Sequence, residues 1–420
     1  MHVLIVGNGR EIPGLVRQAA PDIRTTMLVR LDVLHRVRDR GSNVRIVGLR
    51  HDEGVDEWVE MARSIHRRDP FDRLGTYSEK DQDKAAAIGE ALGLPTHRRE
   101  TVRWVHDKVA MRARLAELGV DPTPSERVTE LGQARDFAER HGYPVILKPV
   151  AGAASSGVSV VRDEDELATA WAWAKAAEEP DTDDVLAEPY LDGVELSVEA
   201  FSQDGDHRIV SLTTKIKDDR HCVEVGHVVR GSFDAATTEA VRRFTLTVLD
   251  ALGIRDGVTH TEVILTRDGP RLVETHLRPA GDDIPEMIRD TYGIDLIDLL
   301  VQGSLGIPVL DRLDRELEKA AEVHEFAAIW YTTPDGGGRI EAITGLEVAR
   351  GMPGVVGIEL IAEVGDELPA ELTDSRARTS SVRAVGSTPE EALRRARDAA
   401  EAVRFVVEKP PVSETSVTGL

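Results

Sequence analysis

At 420 residues, with 41% hydrophobic and 30% charged residues, the chain has the composition of a soluble globular protein and the length for several domains with a sizeable core. A net charge of −23, from 75 acidic against 52 basic residues, argues against nucleic acid or an anionic membrane as partner and leaves room for a local basic pocket that takes a small phosphate ligand. The single cysteine, Cys222, excludes an internal disulfide and a cysteine-rich zinc module. Met1 leads straight into the strand-like run HVLIVG rather than a signal peptide, and no apolar run reaches membrane-spanning length, so the cytoplasm is the expected location.

In chain order, residues 2–7 form a short apolar strand ending at Gly7-Asn8-Gly9; a helix, strands at 25–31 and 43–49, and a long polar helix from about Val55 follow. This β-then-α rhythm predicts a parallel sheet. A dinucleotide fingerprint needs glycine where the chain has Ile12, so the glycine pair reads as a tight turn at the carboxyl end of the first strand, where open α/β sheets bind ligands. A second segment begins near Thr101. Asp107 is placed to cap a helix over 108–118, with Met111, Leu115 and Leu118 on one face and Gly119 as its stop. Lys108 in its first turn opposes the helix dipole, so it is either solvated or helps that end hold an anion.

After a turn at 121–124 and a helix near 130–141, the strand 143–148 ends in Lys148, an ammonium costly to bury without a partner. The small-residue loop 151–157 and a strand over 158–161 follow directly. A lysine before such a hairpin suits a phosphate flap, the plain alternative being a flexible turn. The Walker pattern, with its lysine after the loop, is absent. A helix over 165–179 and an acidic linker, 180–184, lead to a strand at 185–191; Asp192-Gly193 then turns the chain into 194–200, where Glu195, Ser197 and Glu199 alternate to one face. Strands from Ile209, with Lys215 and Lys217, and at 223–229, with Glu224 and His227, precede a helix over 235–252.

The chain then reaches VTHTEVILTRDGPRLVETHLRPAGD, residues 258–282, which reads as a hairpin closed around Arg267-Asp268-Gly269. A three-residue loop pairing Thr266 with Pro270 sets Glu262 opposite Glu274 and His260 opposite His276, with Glu262, Glu274, His276 and Arg278 on one face. Opposed carboxylates repel unless a positive group sits between them, which points to a divalent cation; a solvated polar face is the alternative. From Glu325 the composition turns to short strands, with Ser387-Thr388-Pro389-Glu390 as a capping box for a closing helix over 392–403.

The order of these parts resembles the ATP-grasp carboxylate-amine ligases: a lysine before a helix, a lysine at a strand end before a Gly-rich loop, the hinge EPYLDGVELSVE, and two strand glutamates followed by ETHLRPAGD. The ending Arg278-Pro279-Ala280-Gly281-Asp282 looks most like the branch of bacterial L-amino-acid ligases, which make dipeptides. The resemblance implies a multidomain α/β and α+β architecture with the ATP-grasp fold. Its parts would be an N-terminal parallel α/β domain over 1–100, a mobile lid half over 101–190, a half with the metal-binding hairpin over 191–310 and a small C-terminal subdomain over 311–408; the tail over 409–420, with Pro410-Pro411 and its Ser and Thr residues, is expected from composition to be disordered.

It implies further that Lys108 and Lys148 contact ATP phosphates, with Gly152, Ser155, Ser156 and Gly157 closing over them. Glu188, Tyr190 and Leu191 would meet the adenine and Glu195 the ribose; Glu262, Glu274 and His276 would hold magnesium, expected as two ions; Arg278, Gly281 and Asp282 would face the substrate. The family usually has asparagine where this chain has His276. Imidazole suits manganese or zinc better than magnesium, so His276 either ligates, with manganese as an alternative metal, or stands back from it.

ATP would convert a carboxylate into an acyl phosphate, which an amine, expected from an amino acid, then attacks. Arg278 is the candidate for stabilising the tetrahedral intermediate, and His227 and Glu199 are candidate general bases. A homodimer is what the family leads one to expect. The competing readings are a purine-pathway or carboxylating ligase on the same fold, an ATP-independent metallohydrolase built on His260, Glu262, Glu274 and His276, and a nucleotide sensor without catalysis.

Overall fold

The computed structural model describes residues 1–150, 155–176, 184–218, 222–333 and 336–408. It divides into two compact units, the first comprising Met1–Arg127, Leu191–Thr214 and Gly231–Val323, the second Val128–Tyr190, Lys215–Arg230 and His324–Leu420. Among the described residues, no helix is long and apolar enough to cross a membrane.

The strands β1 (His2–Val6), β2 (Arg24–Arg30), β3 (Arg45–Leu49) and β4 (Arg73–Thr76) form the expected parallel sheet in the order β3-β2-β1-β4. All of β1 is buried, as a central strand covered on both faces requires. The helix Val55–His66 turns Trp58, Ala62 and Ile65 onto Leu4, Val6 and Leu74. At the carboxyl end of β1, Gly7 has φ +90°, and a Cβ there would stand 2.7 Å from Asp81 Oδ2, so the predicted tight turn needs its glycine.

Further along the chain come β5 (Glu126–Val128), β6 (Val145–Pro149), β7 (Ser159–Val161), β8 (Val185–Pro189), β9 (Val194–Gln203), β10 (Asp206–Lys217), β11 (Glu224–Val229), β12 (Gly257–Thr266) and β13 (Gly269–His276). In the first unit, β13, β12, β9 and β10 pair antiparallel in that order. One face of this run packs Leu196, Val198, Val263 and Leu272 against Met111 and Leu115 of the helix Lys108–Glu117 and Val248 and Leu249 of the helix Ala235–Ala251. The opposite face carries the polar alternation. Where Asp192-Gly193 turns into β9, a Cβ on Gly193 would lie 2.3 Å from the Leu265 carbonyl oxygen, so only glycine lets the turn meet β12.

In the second unit, β8, β6 and β7 pair antiparallel beneath Phe137 and Leu167 of two helices, Leu131–His141 and Glu164–Ala176. The strand Phe326–Thr332 pairs with β11 and with Ser380–Gly386, and the helix Pro389–Ala402 packs Ala392 and Ala396 on Val228, Ala328 and Ala384. The capping box lies one residue later than the sequence suggested. Thr388 Oγ1 accepts the Glu391 N–H at 3.1 Å and the Glu391 carboxylate accepts the Ser387 N–H at 2.8 Å, because Pro389 takes the first helical position and leaves Thr388 as the cap.

Candidate active site

The hairpin of β12 and β13 places Glu262 opposite Glu274 and His260 opposite His276, as expected, but by another route. Its loop has two residues, Arg267 and Asp268, with Thr266 paired to Gly269 and Leu265 to Pro270. A β-bulge then sets Val263 opposite Leu272 and Glu262 opposite Glu274, leaving Val273 as the extra residue. Beside β12, β9 pairs Glu199 with His260 and Ser197 with Glu262. Two three-strand rungs result, Glu199–His260–His276 and Ser197–Glu262–Glu274.

The positive groups that the opposed carboxylates need come from the same rungs. His260 reaches Glu199 Oε1 through Nδ1 at 2.7 Å and Glu262 Oε1 through Nε2 at 3.2 Å. His276 reaches Glu79 Oε1 through Nδ1 at 2.6 Å and Glu274 Oε1 through Nε2 at 3.0 Å. The two rings stack with centroids 5.9 Å apart. Lys108 Nζ lies 2.8 Å from Glu274 Oε2, and Arg278 Nε donates to Glu79 Oε2 at 2.7 Å. Ser197 Oγ donates to Glu199 Oε1 at 3.0 Å, while Glu199 Oε2 is buried and has no hydrogen-bond partner among the described residues.

Burial alone would neutralise these groups, and the pairing overrides it. Burial pushes the Glu274 carboxyl up, yet Lys108 and His276 hold it well below the usual carboxylate range. Against the same burial effect, His276 and Arg278 bring Glu79 down to about 2. Burial lowers the His260 imidazole, but Glu199 and Glu262 raise it to about 9. His276 is raised likewise by Glu274 and Glu79. Each imidazole thus lies between two carboxylates that favour its protonated form.

Local structure explains the placement of each group. Asp107 caps the helix Lys108–Glu117 by accepting the N–H groups of Val109 and Ala110, which fixes Lys108 at the first turn, and Lys108 is spent on Glu274 rather than on solvent. Glu79 enters from a short 3₁₀ turn just past β4. Gln82 Nε2 donates to the Leu277 carbonyl at 2.8 Å and its Oε1 meets His106 Nε2 at 2.8 Å, which steadies the strand end next to Arg278. Glu79, Gln82 and His106 did not stand out in the sequence. The signal was available for Glu79, a polar residue just beyond the carboxyl end of a parallel strand.

The first unit thus gathers Lys108, Glu199, Glu262, Glu274, His276 and Arg278, with Glu195 buried further along β9. Gly281 is exposed with open space around it, and Asp282 has φ +57° ahead of the helix Ile284–Tyr292. In the second unit, Lys148 finds the partner its burial demands, Glu188, at 2.7 Å. Ser155 Oγ donates to the Cys222 carbonyl, Ser156 Oγ accepts from Arg376, and Gly157 has φ +75°; Gly152 lies outside the described residues. Tyr190 is exposed, its N–H donating to the Pro144 carbonyl. His227, on β11, is buried with its ring edge-on to Tyr331.

Residues 141–286 match the ATP-grasp domain family, and residues 330–408 match the L-amino acid ligase C-terminal domain 2 family. Residues 141–286 thus carry an ATP-grasp domain, and residues 330–408 a domain of the type found at the C-terminus of L-amino acid ligases. Among its relatives, the chain is 26% identical over 272 residues to an alanine–anticapsin ligase of Bacillus subtilis strain 168, covering 60% of this chain and 57% of that one. It is 23% identical over 313 residues to an L-arginine-specific L-amino acid ligase of Bacillus subtilis, covering 73% of each. The chain therefore spans little more than half the length of the first of these two. The crystal structure of an L-amino acid ligase from Bacillus licheniformis superposes with a TM-score of 0.78 at 21% identity, over 97% of this chain and 99% of that one.

For an ATP-grasp protein the donor set suits magnesium. Among the described residues, no three His, Cys, Asp or Glu side chains converge as a preformed metal cage. Magnesium does not ask for one, since it is commonly held by one or two carboxylates together with substrate phosphates. Glu262 and Glu274 are directly opposed and supply oxygen donors, so they fit. The imidazoles, each bonded to carboxylates through both ring nitrogens, are turned away from the role of zinc ligands that the metallohydrolase reading requires.

Proposed function

We propose that this ATP-grasp protein uses ATP to activate a carboxylic acid and joins it to the amino group of an amino acid, forming an amide and releasing ADP and phosphate. One observation carries the reading: two opposed carboxylates share a sheet face, with a lysine and an arginine beside it that are each held by a half-buried carboxylate. Magnesium–ATP, when bound, supplies a phosphoryl group with its charge partly neutralised. Glu262 and Glu274 are the residues that would hold the metal, expected as two ions, and Lys108 beside Glu274 is the adjacent cation for phosphate oxygens.

His276 stands behind Glu274 as a donor to it, in keeping with its bonds through both nitrogens. Arg278, oriented by Glu79 through Nε, presents its remaining guanidinium donors to the carboxylate being activated and to the oxyanion that the amine's attack creates. Glu199 is fully buried and bonded to His260, which suits the support of that ring better than a proton exchange with substrate. On the second unit, Lys148, Glu188 and the residues 155–157 are the proposed nucleotide contacts.

The test is to incubate the full chain with magnesium, ATP and pools of carboxylic and amino acids while following phosphate and nucleotide products. ADP formed only when acid and amine are both present is the expected result. AMP in place of ADP, or amide turnover without ATP, overturns the proposal. Counting Mn2+ ions bound per chain in the presence of ADP by electron paramagnetic resonance tests the two-ion expectation.

A further inference from the structure

The two carboxylates face each other only because of the bulge. If the pairing set by the two-residue loop continued unbroken, Glu262 would face Val273, and Glu274 would face Thr261. A shift of one residue moves every side chain to the other face of the sheet. Glu274 and His276 would then point to the side where Thr261 and Thr275 are buried and bonded to one another at 2.8 Å. Something must therefore hold the extra residue in place.

The geometry points to Arg112 and Asp121 as positioning residues that set this register. Both are buried, at 3% and 0% exposure. Asp121 Oδ2 accepts the N–H of Leu272 at 2.7 Å and lies 3.6 Å from Arg112 Nη1, while Arg112 Nη2 donates to the carbonyl of Val273 at 3.4 Å. The other oxygen, Asp121 Oδ1, accepts the N–H of Thr123 at 2.9 Å and its hydroxyl at 2.6 Å, so the carboxylate is anchored in its own turn. Two successive residues of the outermost strand, at the point where the ladder slips, thus give a backbone group each to one buried ion pair. An ion pair is costly to bury, and in some proteins a buried one serves to specify geometry rather than to add stability. Here the geometry is which glutamate faces Glu262.

This inference deepens the proposed function and rests on it for the identity of the ligand, though the register can be read without any ligand. In the full chain, Asp121→Asn keeps the size of the side chain but loses the carboxylate oxygen that holds Leu272 N–H and Arg112. Titration of Mn2+ in the presence of ADP, followed by electron paramagnetic resonance, should show affinity weakened about tenfold, the scale seen when the groups that orient metal ligands are lost. Deleting Val273 from that variant removes the extra residue and pairs Glu262 with Glu274 through a regular ladder, so it should restore wild-type affinity. A purely stabilising role for Asp121 predicts no such rescue.

Unchanged affinity in Asp121→Asn, or failure of the deletion to restore it, overturns the inference. If Asp121→Asn does not fold, the Val273 deletion is measured in the wild-type background, where retained affinity supports the inference and lost affinity overturns it. If the wild-type chain binds no Mn2+–ADP, the proposed function falls instead. A crystal structure of Asp121→Asn then decides the register: Glu262 facing Val273 supports the role of the ion pair, and Glu262 facing Glu274 overturns it.

Discussion

On the face of β9, β12 and β13 the carboxylates are shared: Glu79 between His276 and Arg278, Glu199 between Ser197 and His260, Glu274 between Lys108 and His276. On β6 and β8 of the second unit, Lys148 and Glu188 meet at 2.7 Å across neighbouring strands. Both arrangements bury opposite charges, but they answer differently to a change. A network can pass a lost contact to the next member, which suits a place where a cation and an anionic substrate must be exchanged. A buried lysine–glutamate contact loses its compensation when either side chain goes.

Five single substitutions, one double variant and a pH series sharpen or break this contrast. Glu274→Gln, at the centre of the network, should lower ligation by on the order of a thousandfold while leaving the urea midpoint close to wild type, measured by phosphate release and denaturation. Unchanged turnover removes the metal assignment. Glu188→Gln should weaken ATP binding and also destabilise the second unit by about 3 kcal/mol, read in urea, because it leaves the Lys148 ammonium buried without its charge partner. The double variant Lys148→Met with Glu188→Leu should recover most of that lost stability.

The pH dependence probes the network's cations. His260 is raised from its ordinary value of 6.5 to about 9, so the stability it contributes is present in full below pH 6.5 and is lost as pH rises towards 9. The wild-type unfolding free energy should fall by roughly 2 kcal/mol across that interval, and His260→Gln should flatten the profile. Glu199→Gln should weaken Mn2+–ADP binding about tenfold by releasing His260 from one side. A fall in kcat with cation affinity unchanged would instead make Glu199 act on substrate. Thr388→Ala, outside both regions, should cost about 1 kcal/mol through its cap alone and leave ligation untouched.

Much of this was legible in the sequence wherever a local rule decides the outcome. The apolar run of β1, the Asp107 cap, the turn glycine Gly193 and the alternation of Glu195, Ser197 and Glu199 each follow from spacing and side-chain chemistry. The opposition of Glu262 and Glu274 was reached through a loop one residue too long and regular pairing, whereas the chain uses a shorter loop and a bulge. Two errors of one residue cancelled. A bulge leaves no mark in the alternation when its extra residue is itself apolar, as Val273 is, and the ion pair that holds it comes from positions more than a hundred residues upstream in the chain. For Glu79 only its place beyond the carboxyl end of a parallel strand was legible, since its partners His276 and Arg278 are brought to it by the tertiary fold.

The hairpin tip has a practical use. Arg267 and Asp268 are 93% and 71% exposed, and the alignment of the glutamates is fixed midway along the strands, by the bulge beside Leu272. A peptide inserted between these two residues would lengthen the tip without pulling on Glu262 or Glu274. The tip is therefore the place to attach a fluorophore or an affinity handle.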